Sequence, residues 1–311
     1  MAVPRRLLFR AAQLLVVAAV LVMAARALRG QWGAVRRAAS EVRLEWGPAL
    51  LSGLVVLATY ALLVDAWRRV ANGMGGRLSW PAAARIWFVS NLARYAGSLF
   101  QIGALGVLAQ RAGLSPVTAA GAAVVMTVVN LITGFAVVFA TGLGAAQFGA
   151  RGYAALALSV AALALAPVLT PVAARWASRL TGRDVVLPAI TPRALLIAAV
   201  GSAMAWVAYG LAFRLLAVAT LGAAPGPWTA YVSVYTASYL IGFLGLVPAG
   251  AVVAEGAMVA AFGLVGLLTP AQALMLAVVS RLWRTVLEIL PGLAFAASGA
   301  GRARPDPSTT L

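Results

Sequence analysis

Two stretches of this sequence, Ala112 to Ala150 and Leu215 to Ala254, contain no acidic or basic residue at all. Each exceeds the roughly 20 residues with which a helix covers the ~30 Å hydrocarbon core of a bilayer, so each holds more than one membrane element. The apolar runs are continuous rather than alternating, and a segment in lipid must satisfy its own backbone amides. Helices, not barrel strands, meet both conditions. Overall the chain is 63% hydrophobic and only 10% charged, whereas soluble domains are about one quarter charged. The expected fold class is all-α: a polytopic membrane helix bundle in a single domain, residues 1–300, followed by a short polar tail, 301–311.

The missing residue types narrow the chemistry. There is no Cys and no His, which removes disulfides, thiol nucleophiles, imidazole bases and the common transition-metal ligands. Of the seven carboxylates, Glu41, Glu45, Asp184 and Asp306 fall in predicted loops or the tail, and no paired-Asp metal motif is spelled out. The expectation is no metal, no cofactor and no enzyme. The formal charge of +17 comes from 24 basic residues, every one an arginine. They lie between apolar runs rather than along a soluble face, which points to topology and anionic headgroups rather than nucleic acid.

Through-going helices are predicted at about 7–28, 47–66, 118–141, 153–172, 194–217, 228–246 and 271–296. The basic and apolar N-terminus resembles a signal peptide, and the reading adopted is a retained first helix. Two further segments are interrupted: 81–111, which begins with Pro81 and carries Arg85, Asn91, Arg94 and Gln101, and 247–268, broken by Pro248-Ala249-Gly250 and carrying Glu255. If 81–111 dips in and returns to one face, the outer side keeps only Arg26, Arg29, Arg36, Arg37, Arg43 and Arg151, as the positive-inside rule requires. Residues 247–268 then cross as two broken halves. This gives about eight crossings, both termini cytoplasmic and a cytoplasmic (inner) membrane location. Between the first two helices, Trp32, Val35, Ala39, Val42 and Trp46 recur at helical spacing, which reads either as a surface-lying amphipathic helix or as a packed connector.

A short echo links the interrupted segments. Gly113-Leu114-Ser115-Pro116 closes the first and Gly266-Leu267-Leu268-Thr269-Pro270 the second, a pattern expected of a duplicated architecture with broken helices in corresponding halves. Three motifs carry a family likeness. They are Trp87-Phe88-Val89-Ser90-Asn91-Leu92-Ala93-Arg94-Tyr95, then Ser238-Tyr239-Leu240-Ile241-Gly242-Phe243-Leu244-Gly245-Leu246-Val247-Pro248-Ala249-Gly250 followed by Glu255-Gly256-Ala257, and Ser280-Arg281-Leu282. Asp65-Ala66-Trp67-Arg68-Arg69 resembles the loop after the second helix in the same family. Together they resemble the flippase-like proteins related to the transmembrane region of lysylphosphatidylglycerol synthase. The sequence departs from that pattern at Ala96-Gly97-Ser98, where a Pro-Gly pair is usual, and at Val252 and Ala254, where glycine and arginine are usual. The family's large synthases append a soluble aminoacyl-transfer domain that these residues do not spell, so lipid aminoacylation is not implied.

The resemblance implies translocation or handling of a lipid or lipid-linked glycan, with membrane lipids of anionic headgroup, or lipid-linked sugars, as partners. The alternatives are a membrane-embedded transferase or accessory subunit in cell-envelope lipid synthesis, with an envelope-synthesis enzyme as partner, or a non-transporting scaffold. For the transferase, Glu41 with Glu45 is the one candidate carboxylate pair. Candidate substrate-binding residues are Asn91, Arg94, Tyr95, Gln101, Pro248, Gly250, Glu255, Arg281, Arg284 and Glu288. Charges inside membrane segments default to function, yet a buried structural pair satisfies the same energetics. Glu255 is open to both readings, with Arg281 or Arg284 as structural partner, and an Arg284–Glu288 bond within one helix is expected from the spacing. Arg94, with Asn91, Tyr95 and Gln101, is the candidate headgroup contact. Arg85 reads as an anchor at a helix end, Trp206, Tyr209 and Trp228 as interfacial or packing aromatics, and Gly121, Gly134, Gly142 and Gly144 as close-packing positions.

Overall fold

A computed structural model of the chain describes residues 44–93, 98–142, 149–161, 164–165, 175, 179, 190–244 and 250–298. Among these the fold is all helical: α1 (Trp46–Gly73), α2 (Trp80–Ala93), α3 (Ser98–Arg111), α4 (Pro116–Ala140), α5 (149–161), α6 (Pro192–Leu221), α7 (Trp228–Leu244), α8 (Gly250–Val265) and α9 (Pro270–Ser298). Three of them, α1, α4 and α6, are long and apolar enough to cross a membrane. Large apolar side chains such as Leu54, Val124, Leu196 and Leu264 stand exposed on the outer surface, as expected of helices whose solvent is hydrocarbon. The chain is a helical membrane protein. The predicted first helix and the amphipathic stretch from Trp32 as far as Arg43 lie outside the described residues, while Trp46, assigned to that stretch, opens α1.

The helix lengths repeat. α1, α2, α3 and α4 have 28, 14, 14 and 25 residues, and α6, α7, α8 and α9 have 30, 17, 16 and 29. At ~1.5 Å per residue the two short pairs reach only about 21–26 Å, less than the ~30 Å core, whereas the long helices exceed it. Each short pair packs on itself as a hairpin. In the first, Gln101 Nε2 donates to Asn91 Oδ1 across the pair at 2.8 Å.

The joints repeat as well. Gly113 after α3 and Gly266 after α8 both have positive φ, 77° and 64°, a left-handed turn for which glycine has no Cβ penalty. Ser115 then caps α4 by accepting from the Thr118 amide, and Thr269 accepts from the Gln272 amide at the start of α9. Pro116 and Pro270 occupy the first helical position, where a missing N–H costs nothing.

The halves exchange partners: α4 packs on the second hairpin through α7, and α9 on the first through α2, while α1 runs along α6. The contacts use equivalent leucines against glycines one turn apart in register. A Cβ on Gly134 of α4 would stand 3.1 Å from Leu240, and one on Gly292 of α9 would stand 2.6 Å from Leu92. Leu92 and Leu240 are each the thirteenth residue of their helix. The α6–α7 approach is closest, because a Cβ on Gly210 would lie 2.3 Å from the Val232 Cα. Small residues permit such approach where lipid offers no hydrophobic drive between helices.

Several expectations are corrected. The segment Asp65–Arg69 is not a loop: α1 continues through it to Gly73, because Asp65 accepts from Arg68 and Arg69 at 2.7 and 2.6 Å and so carries both charges on the helix itself. Within 247–268 the described part, Gly250 to Val265, is one continuous helix packed on α7 rather than two broken halves, and Pro248 and Ala249 of the predicted break lie outside the described residues. Gly121 is a packing glycine, meeting Met74, but Gly142 is a turn residue at φ 104° with no neighbour within 4 Å. Gly144 lies outside the described residues.

Candidate functional site

Two apolar clusters fill the bundle, one centred on α1–α4 and one on α6–α9, and both Tyr209 and Trp283 pack against each of them. Between the clusters lies a cavity of about 180 Å³ with walls from α1, α2, α4, α6, α7 and α9. Tyr60, Asn130, Trp206 and Arg284 in its wall each lie within about two residues of the middle of a long helix, which sets the cavity at mid-depth of the bundle.

The wall is built from equivalent positions of the two halves. Tyr60 and Trp206 are each the fifteenth residue of α1 and α6, and Leu63 and Tyr209 the eighteenth. Trp87 and Tyr235 are the eighth residue of α2 and α7, and Asn91 and Tyr239 the twelfth. Asn130 and Arg284 are the fifteenth of α4 and α9. All ten line the cavity. The cavity therefore sits where the two halves of the repeat face each other.

Its polarity is concentrated on α9. Arg284 donates through Nη1 to the Tyr235 hydroxyl at 3.2 Å, and its guanidinium carbon stands 5.6 and 6.0 Å from the ring centroids of Tyr235 and Tyr239. One turn on, Glu288 accepts from the Tyr60 hydroxyl at 3.3 Å. Opposite, Asn130 accepts from Ser202 at 2.7 Å through its side chain and from the Trp206 indole at 3.0 Å through its carbonyl. The rings of Tyr60, Trp87, Tyr209, Tyr235, Tyr239 and Trp206 form a chain with centroid separations of 5.2–6.5 Å. Aromatic faces contribute ~0.5–2 kcal/mol to a nearby cation, against ~2.5–3.5 kcal/mol for placing an arginine at the centre of an isolated helix. The rings and the Glu288 carboxylate one turn on together offset much of the cost of Arg284. Its Nε, moreover, is buried with no hydrogen-bond partner among the described residues. A cation so placed can still receive an anionic group.

The predicted site residues separate. Asn91, Arg284 and Glu288 line the cavity, and Gln101 holds Asn91 in place from the neighbouring arm. Arg281 and Glu255 do not line it: Arg281 Nη1 donates to Glu255 Oε1 at 2.9 Å, joining α9 to α8. Of the two structural partners considered for Glu255, Arg281 is the one found. Gly250 opens α8, while Arg94, Tyr95 and Pro248 lie outside the described residues. Sequence reasoning missed Tyr60, Asn130, Tyr235 and Tyr239, and it set Trp206 and Tyr209 at the interface or in packing. Both pack in the bundle, as expected, and from the middle of α6 they also face the cavity. Equal register from Trp46 and Pro192, from Trp80 and Trp228, and from Pro116 and Pro270, is the signal that would have found them. Among the described residues no group of His, Cys, Asp and Glu could hold a metal ion.

The family model of the lysylphosphatidylglycerol synthase transmembrane region matches residues 10–292. The chain belongs to that family. Membership covers nearly the whole sequence, including every residue of the cavity, and it connects the membrane bundle with lipid and cell-envelope function. No curated protein matches the chain.

Proposed function

We propose that this member of the lysylphosphatidylglycerol synthase transmembrane family passes a lipid, or a lipid-linked glycan, between the leaflets of the cytoplasmic membrane, and that the central cavity receives the headgroup on the way. The observation that carries the reading is Arg284, a mid-helix arginine in a cavity at the interface of the two halves. A membrane helix tolerates such a charge where it lines a polar cavity, and inverted or paired repeats with short broken elements place their ligand sites at this depth. The phosphate of a headgroup would dock on the Arg284 guanidinium, with the tyrosine hydroxyls and Asn130 as neutral donors and acceptors around it. No covalent step is required of any side chain, in keeping with a translocator rather than an enzyme.

The test is leaflet exchange in proteoliposomes containing fluorescent phosphatidylglycerol, phosphatidylethanolamine or a polyprenyl-phosphate sugar. At least one should exchange faster than in protein-free vesicles, and R284Q should lose most of that gain. Exchange at the protein-free rate for all three would reject translocation.

A further inference from the structure

At the open end of the first hairpin lies a second cavity, of about 290 Å³, whereas one water needs only ~10–15 Å³. Arg85 of α2 and Arg111 at the end of α3 stand in its wall with the hydroxyl-bearing Ser79 and Ser298, and no carboxylate is among its described lining residues. The Arg85 Nε is buried and has no hydrogen-bond partner among the described residues, an unsatisfied donor that a ligand oxygen would complete. Pro81 and Ala82, in the first turn of α2, border the same space, but so do the C-terminal turns of α3 (Leu108, Arg111) and α9 (Phe295, Ser298). Their negative dipole ends offset the positive end of α2, so the Arg85 guanidinium rather than a helix dipole is the donor.

The corresponding place in the other half carries a buried hydroxyl in place of an arginine. The sixth residue of α7 is Ser233, where α2 has Arg85. Ser233 is hydrogen-bonded to Thr141 just after α4, and Thr141 holds the register that Phe295 holds in α9. Two bonded hydroxyls stand at this position in one half, while an arginine beside a cavity stands there in the other. The sixth position of the hairpin therefore distinguishes the two halves.

We propose that the mouth of the first hairpin is a second anion site, distinct from the central cavity, that takes a phosphate group with Arg85 as its principal donor. A guanidinium fork binds phosphate oxygens through two parallel N–H···O bonds. The site adjoins the centre, because Ile86 lines the mouth and the next residue, Trp87, lines the central cavity. It stands independently of the translocation reading, since its evidence is the cavity, the unsatisfied donor and the difference between the halves at the sixth position.

Either the phosphodiester of a membrane lipid or free phosphate supplies this chemistry, and the test separates them. The full chain is purified in dodecyl maltoside, which contains no phosphate. Phosphatidylglycerol is titrated in mixed micelles with retention counted by native mass spectrometry, and inorganic phosphate is titrated by calorimetry. R85Q should weaken binding about tenfold, the loss expected for one charge-assisted contact. R85K should weaken it less, and R284Q should leave this site unchanged. Loss in the lipid arm alone assigns a headgroup, and loss in the inorganic arm assigns a soluble phosphate. Should R85Q fail to fold, A82L fills the cavity while keeping both arginines and should give the same loss. Binding of both probes unchanged in R85Q and A82L, or no binding of either probe to the unmodified chain, would overturn the proposal.

Discussion

The last long helix of each half has the same place in the fold and the opposite character. α4 carries no charged residue, whereas α9 carries Arg281, Arg284 and Glu288. The positions correspond one to one: Thr127 with Arg281, Asn130 with Arg284 and Gly134 with Glu288, at the twelfth, fifteenth and nineteenth residues of the two helices. The backbone plan has thus been kept while its polarity has moved to one side. Charge sits on α9, and on α4 the same register holds a hydroxyl, an amide and a packing glycine. One cation, with the Glu288 carboxylate a turn away on the same helix, costs less in the membrane interior than two facing cations would. The hairpins differ in the same sense, the first being joined by the neutral Asn91–Gln101 bond and the second tied to α9 by the Glu255–Arg281 ion pair.

The largest effect should come from moving the charge between halves. R284Q should reduce leaflet exchange about tenfold or more, the scale of one lost charge-assisted contact. If Asn130 and Arg284 are equivalent, N130R/R284N should recover part of the rate, and recovery below the level of R284Q would break the equivalence. Next comes the ion pair. Its side chains are only partly buried, at 28% and 13% exposure, so E255Q or R281Q should each destabilise the bundle by about 2 kcal/mol, between the values for surface and fully buried pairs. The double variant should cost less than the sum, as read from unfolding in detergent.

The glycine contacts of the two equivalent leucines sharpen the comparison further. G292A drives a Cβ to 2.6 Å from Leu92, whereas G134A meets Leu240 at 3.1 Å, so G292A should cost about 1–3 kcal/mol and G134A less, with L92A relieving the former. The smallest change is expected at the first hairpin, where Q101L removes one hydrogen bond worth about 1 kcal/mol. A loss there equal to that of E255Q would contradict the distinction between the two hairpins.

Much of this architecture was legible in the sequence, and the reasons are physical. Charge-free runs longer than one span forced several helices, and the glycine-proline joints at Gly113–Pro116 and Gly266–Pro270 marked the repeat because left-handed turns and helix starts have residue preferences. The end of α1 was misread. Asp65, Arg68 and Arg69 look like a polar loop until their spacing of three and four is seen to neutralise them on a helix. The cavity was only half legible. Arg284, Glu288 and Asn91 stood out as polar in apolar surroundings, but a tyrosine in a membrane helix has an apolar body and reads as interface or packing. Tyr60, Tyr209, Tyr235 and Tyr239 became site residues only through their positions at mid-helix and their common cavity. Glu255 misled in the other direction, since nothing in its local sequence distinguishes a ligand-binding carboxylate from one held by an arginine on a neighbouring helix.

That the two halves enclose a wet, protein-lined cavity at mid-depth is most directly tested by thiol accessibility, because the chain has no native cysteine. N130C places a thiol in the cavity wall, and V128C places one two residues away on a side chain that is 46% exposed on the outer, lipid-facing surface. In proteoliposomes, a charged methanethiosulfonate reagent should modify N130C readily and V128C hardly at all, with R284Q leaving that difference in place. Equal, slow labelling of both thiols would mean that the cavity is dry, and the account of a headgroup passing beside Arg284 would fall with it.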